Sequence, residues 1–391
     1  MMNDFSVIVN NVAIYNSIDS IIWQLIKYIN ISHTSENDII QYIYEIYQST
    51  YASHASHASN IECELNTQQL LDIISKRYKI IDTSRKTLYN LLAQPQVAQR
   101  SPEWYELRKN RLTASAVAQA IGKGKFASKD DLLKDKAFPE LAKPFDSHTC
   151  KPLRHGIILE DMTARCYSQR LNNIKIHNFG MIPHYSMTCF GASPDGINEL
   201  GIMVEIKTPY RRRVDGNIPY EYMVQMQGQM AVCNLTECDF VDAEIYFDYR
   251  CIEDYTNDIE LVNSNSDHGI ILEYIDTEKN RQYVYSPEYL YPAECLQWAH
   301  QKKLEICANY PQNNCLILPW KLVKILIKRV YFNEEVWNEL IPQIKNFWDE
   351  VIALRNAGVD TLPVKKLKCV KSKVFKNKAA YASQFIDSDE D

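Results

Sequence analysis

Glycine is scarce in this chain, at 11 of 391 residues, against ~7% in ordinary usage. That excludes collagen-like and Gly-rich linker sequences, and it makes each glycine present a marker of a turn or a close approach. No run approaches the ~18 consecutive apolar residues of a membrane span. The first residues, Met1-Met2-Asn3-Asp4-Phe5, lack a basic stretch followed by an apolar one, so no secretory signal is expected. The 11 cysteines are scattered and form no Cys-x-x-Cys pair. They read as reduced thiols of an intracellular protein. Positive charge is not in excess: 43 Lys and Arg stand against 49 Asp and Glu, a net charge of −6. Nucleic acid is not thereby excluded, because the placement of basic residues decides binding, not their total. Hydrophobic content of 46% and charged content of 24% exclude a wholly disordered chain. The 25 tyrosines, with abundant Ile and Asn, read as genome composition.

The length allows two or three domains. Residues 1–95 read as a helical region. Ser17-Ile18-Asp19-Ser20 precedes an apolar face at Ile21, Ile22, Leu25, Ile26 and Ile29. Further helices are expected over Glu36–Gln48 and Thr67–Tyr78. The stretch Ser53-His54-Ala55-Ser56-His57-Ala58-Ser59 reads as a solvated link, with metal binding by its two His as the alternative. Gln94-Pro95-Gln96 marks a boundary. Residues 96–310 alternate helix and strand. Helices are expected over Glu103–Asn110, Ser115–Ile121, Ile158–Arg170 and Tyr220–Cys233. Strands are expected near Lys175–Pro183, Thr188–Ser193, Ile202–Lys207 and Phe240–Asp248, with a late hairpin at Tyr274 and Arg281–Tyr285. This order predicts an α/β fold, a mixed sheet flanked by helices. Residues 311–362 read as helical again, with Asn333 capping a helix that Pro342 should kink. Residues 363–391 form a Lys-rich tail with an acidic end.

The chemistry concentrates in Ser193-Pro194-Asp195-Gly196 and Glu205-Ile206-Lys207, with nine residues between the two acids. On a strand, Glu205 and Lys207 share one face, while Val204 and Ile206 point to the other. A turn at Pro194-Asp195-Gly196 can return the chain so that Asp195 lies beside Glu205. Two adjacent carboxylates with a lysine suit a hard cation such as Mg²⁺. The lysine would then orient the attacking water and offset transition-state charge. A solvated strand edge is the alternative for this element alone.

Three more elements accompany it. Glu160 closes the word HGIILE at 155–160, on an expected helix before the strands. Gln225 and Gln227 lie in YMVQMQ at 222–227. Trp104 and Arg108 lead into Thr113 and Ser115 in WYELRKNRLTAS at 104–115. Each has an ordinary structural reading: surface helix, polar stripe, core and N-cap. With ASPDG at 192–196 and VEIKTP at 204–209, these words resemble, in order and spacing, the lambda-exonuclease/YqaJ-type viral recombinase nucleases, a branch of the PD-(D/E)xK superfamily. The likeness covers 105–250, well under half the chain.

The resemblance implies a restriction-endonuclease-like core over 96–310, with extra helical N- and C-terminal regions. It implies metal ligation by Asp195, Glu205, the Ile206 carbonyl and Glu160, with two Mg²⁺ (or Mn²⁺) ions per site. It implies Lys207 as the catalytic lysine and Gln225 as a residue that positions the lysine or the nucleophile. Arg108 and Ser115, with Trp104 and Thr113 nearby, would hold a terminal 5′-phosphate. Arg211, Arg212 and Arg213 follow the active strand and are expected to track the DNA backbone, with a solvated loop as the alternative. The expected activity is a 5′→3′ double-strand exodeoxyribonuclease for viral recombination or repair. The expected partners are duplex DNA and a single-strand annealing protein, with homo-oligomer formation and no membrane. The expected compartment is the host cytoplasm or nucleus. A structure-specific endonuclease and a non-catalytic DNA-binding scaffold are the rival readings. Ile121-Gly122-Lys123-Gly124-Lys125 fails the P-loop spacing. Cys295, Cys307 and Cys315 are too widely spread to favour an iron–sulfur cluster.

Overall fold

The computed structural model describes residues 4–28, 34–52, 66–125, 127–141, 150–247, 267–288, 290–310 and 315–359. The His-containing link at 53–59 and the Lys-rich tail lie outside the described residues. Three helices come first: α1 (Asp4–Tyr28), α2 (Glu36–Tyr47) and α3 (Thr67–Leu92). The middle holds α4 (Pro102–Lys109), β1 (Leu112–Thr113), α5 (Val117–Ala120), α6 (Lys129–Ala137) and α7 (Lys151–Arg170). Then come β2 (Ile176–His177), β3 (Ile182–Pro183), β4 (Phe190–Ala192), β5 (Gly196–Asn198), β6 (Met203–Lys207), α8 (Tyr220–Cys233) and β7 (Glu237–Tyr246). The chain continues with β8 (His268–Ile275), β9 (Arg281–Tyr285), α9 (Pro292–Asn309), β10 (Leu316–Tyr331) and α10 (Glu334–Ala357).

Seven strands form one mixed sheet in the order β2-β5-β6-β7-β10-β8-β9. β6 runs parallel to β7, and the other pairings in this sheet are antiparallel. β1, β4 and β3 form a small second sheet. Period-two alternation assigns the faces of β6. Val204 and Ile206 pack with α1, α2, α3 and Tyr167 of α7 in one core. Met203 packs on the other face with α8, α10 and the small sheet. Glu205 and Lys207 therefore face α8.

The helical N-terminal region is bolted to the sheet by buried charge. Arg77 of α3 donates to Asp19 of α1 at 2.6 and 2.7 Å, and to both oxygens of Glu237 on β7. Arg329 of β10 donates to Glu237 at 2.6 Å and to Asp239 at 2.6 Å. Tyr167 donates to Asp239 at 2.7 Å and accepts from Asn198 of β5 at 2.9 Å. Arg77 is 0% exposed. Burial opposes its charge, yet Asp19 and Glu237 hold it firmly protonated. Burial likewise opposes ionisation of Glu237, but Arg77 and Arg329 pull its pKa below the ordinary value.

Three expectations are corrected. Ser17–Ser20 do not begin a helix but lie inside α1: Ser17 Oγ bonds back to the Ala13 carbonyl, and Asp19 is spent on Arg77. The third helix runs on to Leu92, because Ile81, Leu88 and Leu91 continue its buried stripe. Residues 316–331 are not helical but form a strand inserted between β7 and β8. This run is dense in Leu, Ile and Val, whose short apolar stretches fit either period. Its Pro319 pairs with β8 before the β7 pairing begins at Lys321, so the missing N–H falls on an unpaired side. The Asn333 cap is present: its side-chain oxygen accepts from Val336 N at 3.1 Å. α10 continues through Pro342 to Ala357.

Candidate active site

The β5–β6 hairpin delivers the acids. Gly196 pairs with Val204, which carries Asp195 to the end of the ladder beside Ile206. Asp195 Oδ2 accepts from the Ile206 N–H at 2.8 Å. N–H and C=O of one strand residue project to the same edge, so the Ile206 carbonyl also faces the Asp195 side. A close-packed loop supports the turn from behind. Gln99 Nε2 donates to the carbonyls of Phe179, at 2.8 Å, and Pro194, at 3.2 Å. A Cβ at Gly180 would overlap the Val97 backbone, which only glycine avoids.

Glu205 is the hub and is 0% exposed. Its Oε1 accepts from Lys207 Nζ and, at 2.6 Å, from Gln225 Nε2. Its Oε2 accepts from Gln229 Nε2 at 2.8 Å. Gln225 and Gln229 stand four apart on α8 and so share a helix face. Gln227 leaves that face: it donates to the Tyr331 carbonyl at 3.0 Å and accepts from Asn333 N at 2.7 Å. Lys207 Nζ lies 4.9 Å from the centre of the Tyr222 ring. Glu160, on α7, accepts from Arg100 at 2.9 Å. Arg100 itself has φ 66°, a left-handed conformation unusual for a side-chain-bearing residue.

The electrostatics show a deficit of positive charge. Asp195 is raised well above the usual carboxylate range, by burial first and then by Glu205 and Glu160. Glu160 is also raised, by burial and by Asp161 and Glu205, against the pull of Arg100 and Lys207. Lys207 is opposed by burial, but Glu205 and Asp195 outweigh it and keep the ammonium protonated. Three carboxylates thus face one lysine and one arginine. Hard oxygens with unmet charge are what a divalent cation such as Mg²⁺ requires. The carboxylates are each held by protein donors, and among the described residues no three Asp, Glu, His or Cys form a ready-made metal cage. The donor set fits a metal in its chemistry and its charge.

The other expected residues divide. Arg108 lies over Trp104, 4.3 Å from the ring centre, and burial lowers its pKa. Trp104 Nε1 donates to Ser193 Oγ at 3.0 Å, which joins this pair to the Pro194-Asp195 turn. Thr113 is buried, and its hydroxyl meets that of the exposed Ser115 at 3.2 Å. Arg212 is engaged in a two-pronged ion pair with buried Asp242 at 2.8 and 2.6 Å, so it anchors the loop instead of standing free on a phosphate track. Arg211 and Arg213 are exposed. Sequence reasoning missed Gln229, Ser193 and Arg100. The i, i+4 spacing from Gln225 was a readable signal for the first, and adjacency to Pro194-Asp195 for the second.

Residues 103–239 match the YqaJ-like viral recombinase domain. Over this segment, about a third of its length, the chain is similar to that family. Its Asp195 and Glu205-Ile206-Lys207, on a turn and the adjoining strand, form the PD-(D/E)xK pattern. A protein of Acanthamoeba polyphaga mimivirus is 28% identical over 334 residues, 75% of this chain and 59% of that protein. The chain therefore spans about three fifths of that relative's length. An alkaline exonuclease of Laribacter hongkongensis shares 19% identity at a TM-score of 0.41, over 66% of this chain and 95% of that one. A phage-related exonuclease of Haemophilus somnus shares 11% identity at a TM-score of 0.34, over 62% of this chain and 95% of that one. No described helix is long and apolar enough to cross a membrane.

Proposed function

We propose that this chain is a metal-dependent deoxyribonuclease that hydrolyses phosphodiester bonds at the ends of duplex DNA, in the 5′→3′ direction, in viral recombination or repair. The observation that carries the reading is the convergence of Glu160, Asp195, Glu205 and Lys207 with a deficit of positive charge. The YqaJ-like domain supports the same reading. Asp195, Glu205, Glu160 and the Ile206 carbonyl would hold Mg²⁺, two ions per site. When bound, the metal supplies Lewis-acid stabilisation and an activated water.

The chain's own residues do the rest. Gln225 and Gln229 donate to both oxygens of Glu205 and so fix its carboxylate in one orientation. Lys207 keeps its proton, so it acts as a fixed cation beside the scissile phosphate and not as a base. Arg108, held on Trp104 beside Ser193, offers its fork to a terminal 5′-phosphate, with Ser115 as a hydroxyl donor. Arg211 and Arg213 supply backbone contacts. A single-strand annealing protein is the proposed partner.

The test is a time course with Mg²⁺ on linear duplex phosphorylated at one 5′ end, beside a closed-circular control. Loss from the phosphorylated end with an intact circle is expected. A nicked or linearised circle would make the enzyme an endonuclease. DNA binding without cleavage of either substrate would overturn the assignment.

A further inference from the structure

Basic groups gather at the C-terminal end of α4 without matching acids. Lys136 of α6 donates from Nζ to the Arg108 carbonyl at 2.6 Å. Arg355 of α10 donates to the carbonyl of Lys136 at 2.7 Å and lies over Trp348, 5.5 Å from the ring centre. A second strap, Lys129 to Glu350 at 2.6 Å, pins α6 to α10. Among the described residues, no carboxylate forms an ion pair with Arg108, Lys136 or Arg355. Burial, followed by the charge of Arg108, outweighs the help of Asp135 and lowers the Lys136 ammonium to about 8, with Arg355 adding to the drop.

A lysine on a last-turn carbonyl is also an ordinary helix cap, favoured by the helix dipole. A cap alone does not account for burying a second cation beside Arg108. Like charges held together in a half-buried place destabilise the protein unless an anion joins them. The place is beside the active site, since Arg108 stacks on Trp104 and Trp104 bonds Ser193, two residues before Asp195. A terminal phosphate monoester carries roughly −1.5 to −2 charge near neutral pH, and a hydroxyl end carries none. A second cation is what that extra charge would select.

We infer that Lys136 is a specificity residue for the 5′ end: with Arg108 it holds the terminal phosphate, and Arg355 on α10 positions it from behind. This rests on the reading of Arg108 as an end-phosphate residue. It brings α10, which lies beyond the matched segment 103–239, into end recognition.

The experiment compares kcat/KM on one duplex carrying either 5′-phosphate or 5′-hydroxyl ends, with urea midpoints measured alongside. The readout is the phosphate-to-hydroxyl ratio. Lys136→Met should lower that ratio by about tenfold or more, the scale of a charged hydrogen bond. Lys136→Arg should keep most of it, and Arg355→Gln should fall between. If Lys136→Met lowers both rates by one factor together with the urea midpoint, Lys136 is only a helix cap and the inference fails. If Arg108→Met removes the wild-type ratio while Lys136→Met leaves it intact, this inference alone fails. If the wild type does not discriminate between the two ends, the end-phosphate reading fails and this inference falls with it.

Discussion

Two of the buried charge clusters among the described residues lie on opposite faces of neighbouring strands, and they differ in one respect. The Asp19-Arg77-Glu237-Arg329-Asp239 network is saturated. Arg77 bridges two of its acids and Arg329 all three, and Glu237 is held more readily ionised than an ordinary glutamate. The Glu160-Asp195-Glu205-Lys207 cluster is not. Asp195 and Glu160 are pushed up toward protonation by burial and by their neighbours. Burying charge is costly in both places. Only the first cluster recovers that cost within the chain. Under the proposed function the second is completed by a cation from outside, which would distinguish a site from a structural clamp.

The contrast is broken most severely at Lys207. Lys207→Ala should lower the cleavage rate by about a thousandfold, in line with loss of a principal transition-state charge, with duplex binding retained in a mobility-shift assay. Normal cleavage would remove Lys207 from the mechanism. Next in size, Arg77→Met should destabilise the fold by about 3–5 kcal/mol, because it leaves Asp19 and Glu237 buried without their main partner. Urea unfolding measures it, and a loss under 1 kcal/mol would show the clamp to be dispensable. Gln229→Leu should cost about tenfold in kcat through a loosened Glu205. A change confined to KM would argue against that role.

The smallest effect is one of pH. The Lys136 ammonium lies low, at about 8, because of burial and of the Arg108 and Arg355 charges. Asp135, on the same helix, acts in the opposite sense. The charged form binds phosphate, so preference for 5′-phosphate ends should be full below that value and fall as pH rises through it. Profiles of kcat/KM on the two end types check this, and Lys136→Arg should abolish the fall.

The local chemistry of the site was legible in the sequence. Asp195, Glu205 and Lys207 lie within one hairpin, so turn and strand geometry alone bring them together. The boundaries of α8, the Asn333 cap and the hairpin of β8 and β9 were legible for the same reason. What escaped depends on long-range pairing. β10 reads as helix or strand until β7 and β8 are known to flank it. The partner of Arg212 is Asp242, on a strand whose register the sequence does not reveal. Ser17–Ser20 carry a helix-start composition, and only the engagement of Asp19 with Arg77 shows why they sit inside a helix.

The most direct test of the unmet charge is thermal unfolding of the wild type and Asp195→Asn, each with and without Mg²⁺. Ionised Asp195 has a raised folded pKa, so near neutral pH its charge destabilises the metal-free protein. The account predicts that Asp195→Asn melts about 2–4 °C higher than the wild type without metal, the response to ~1 kcal/mol in a domain of 150–250 residues. It predicts that Mg²⁺ raises the melting temperature of the wild type and not of the variant. Equal responses of the two proteins to Mg²⁺, or a variant that melts lower without it, would contradict the claim that this cluster is built for a cation.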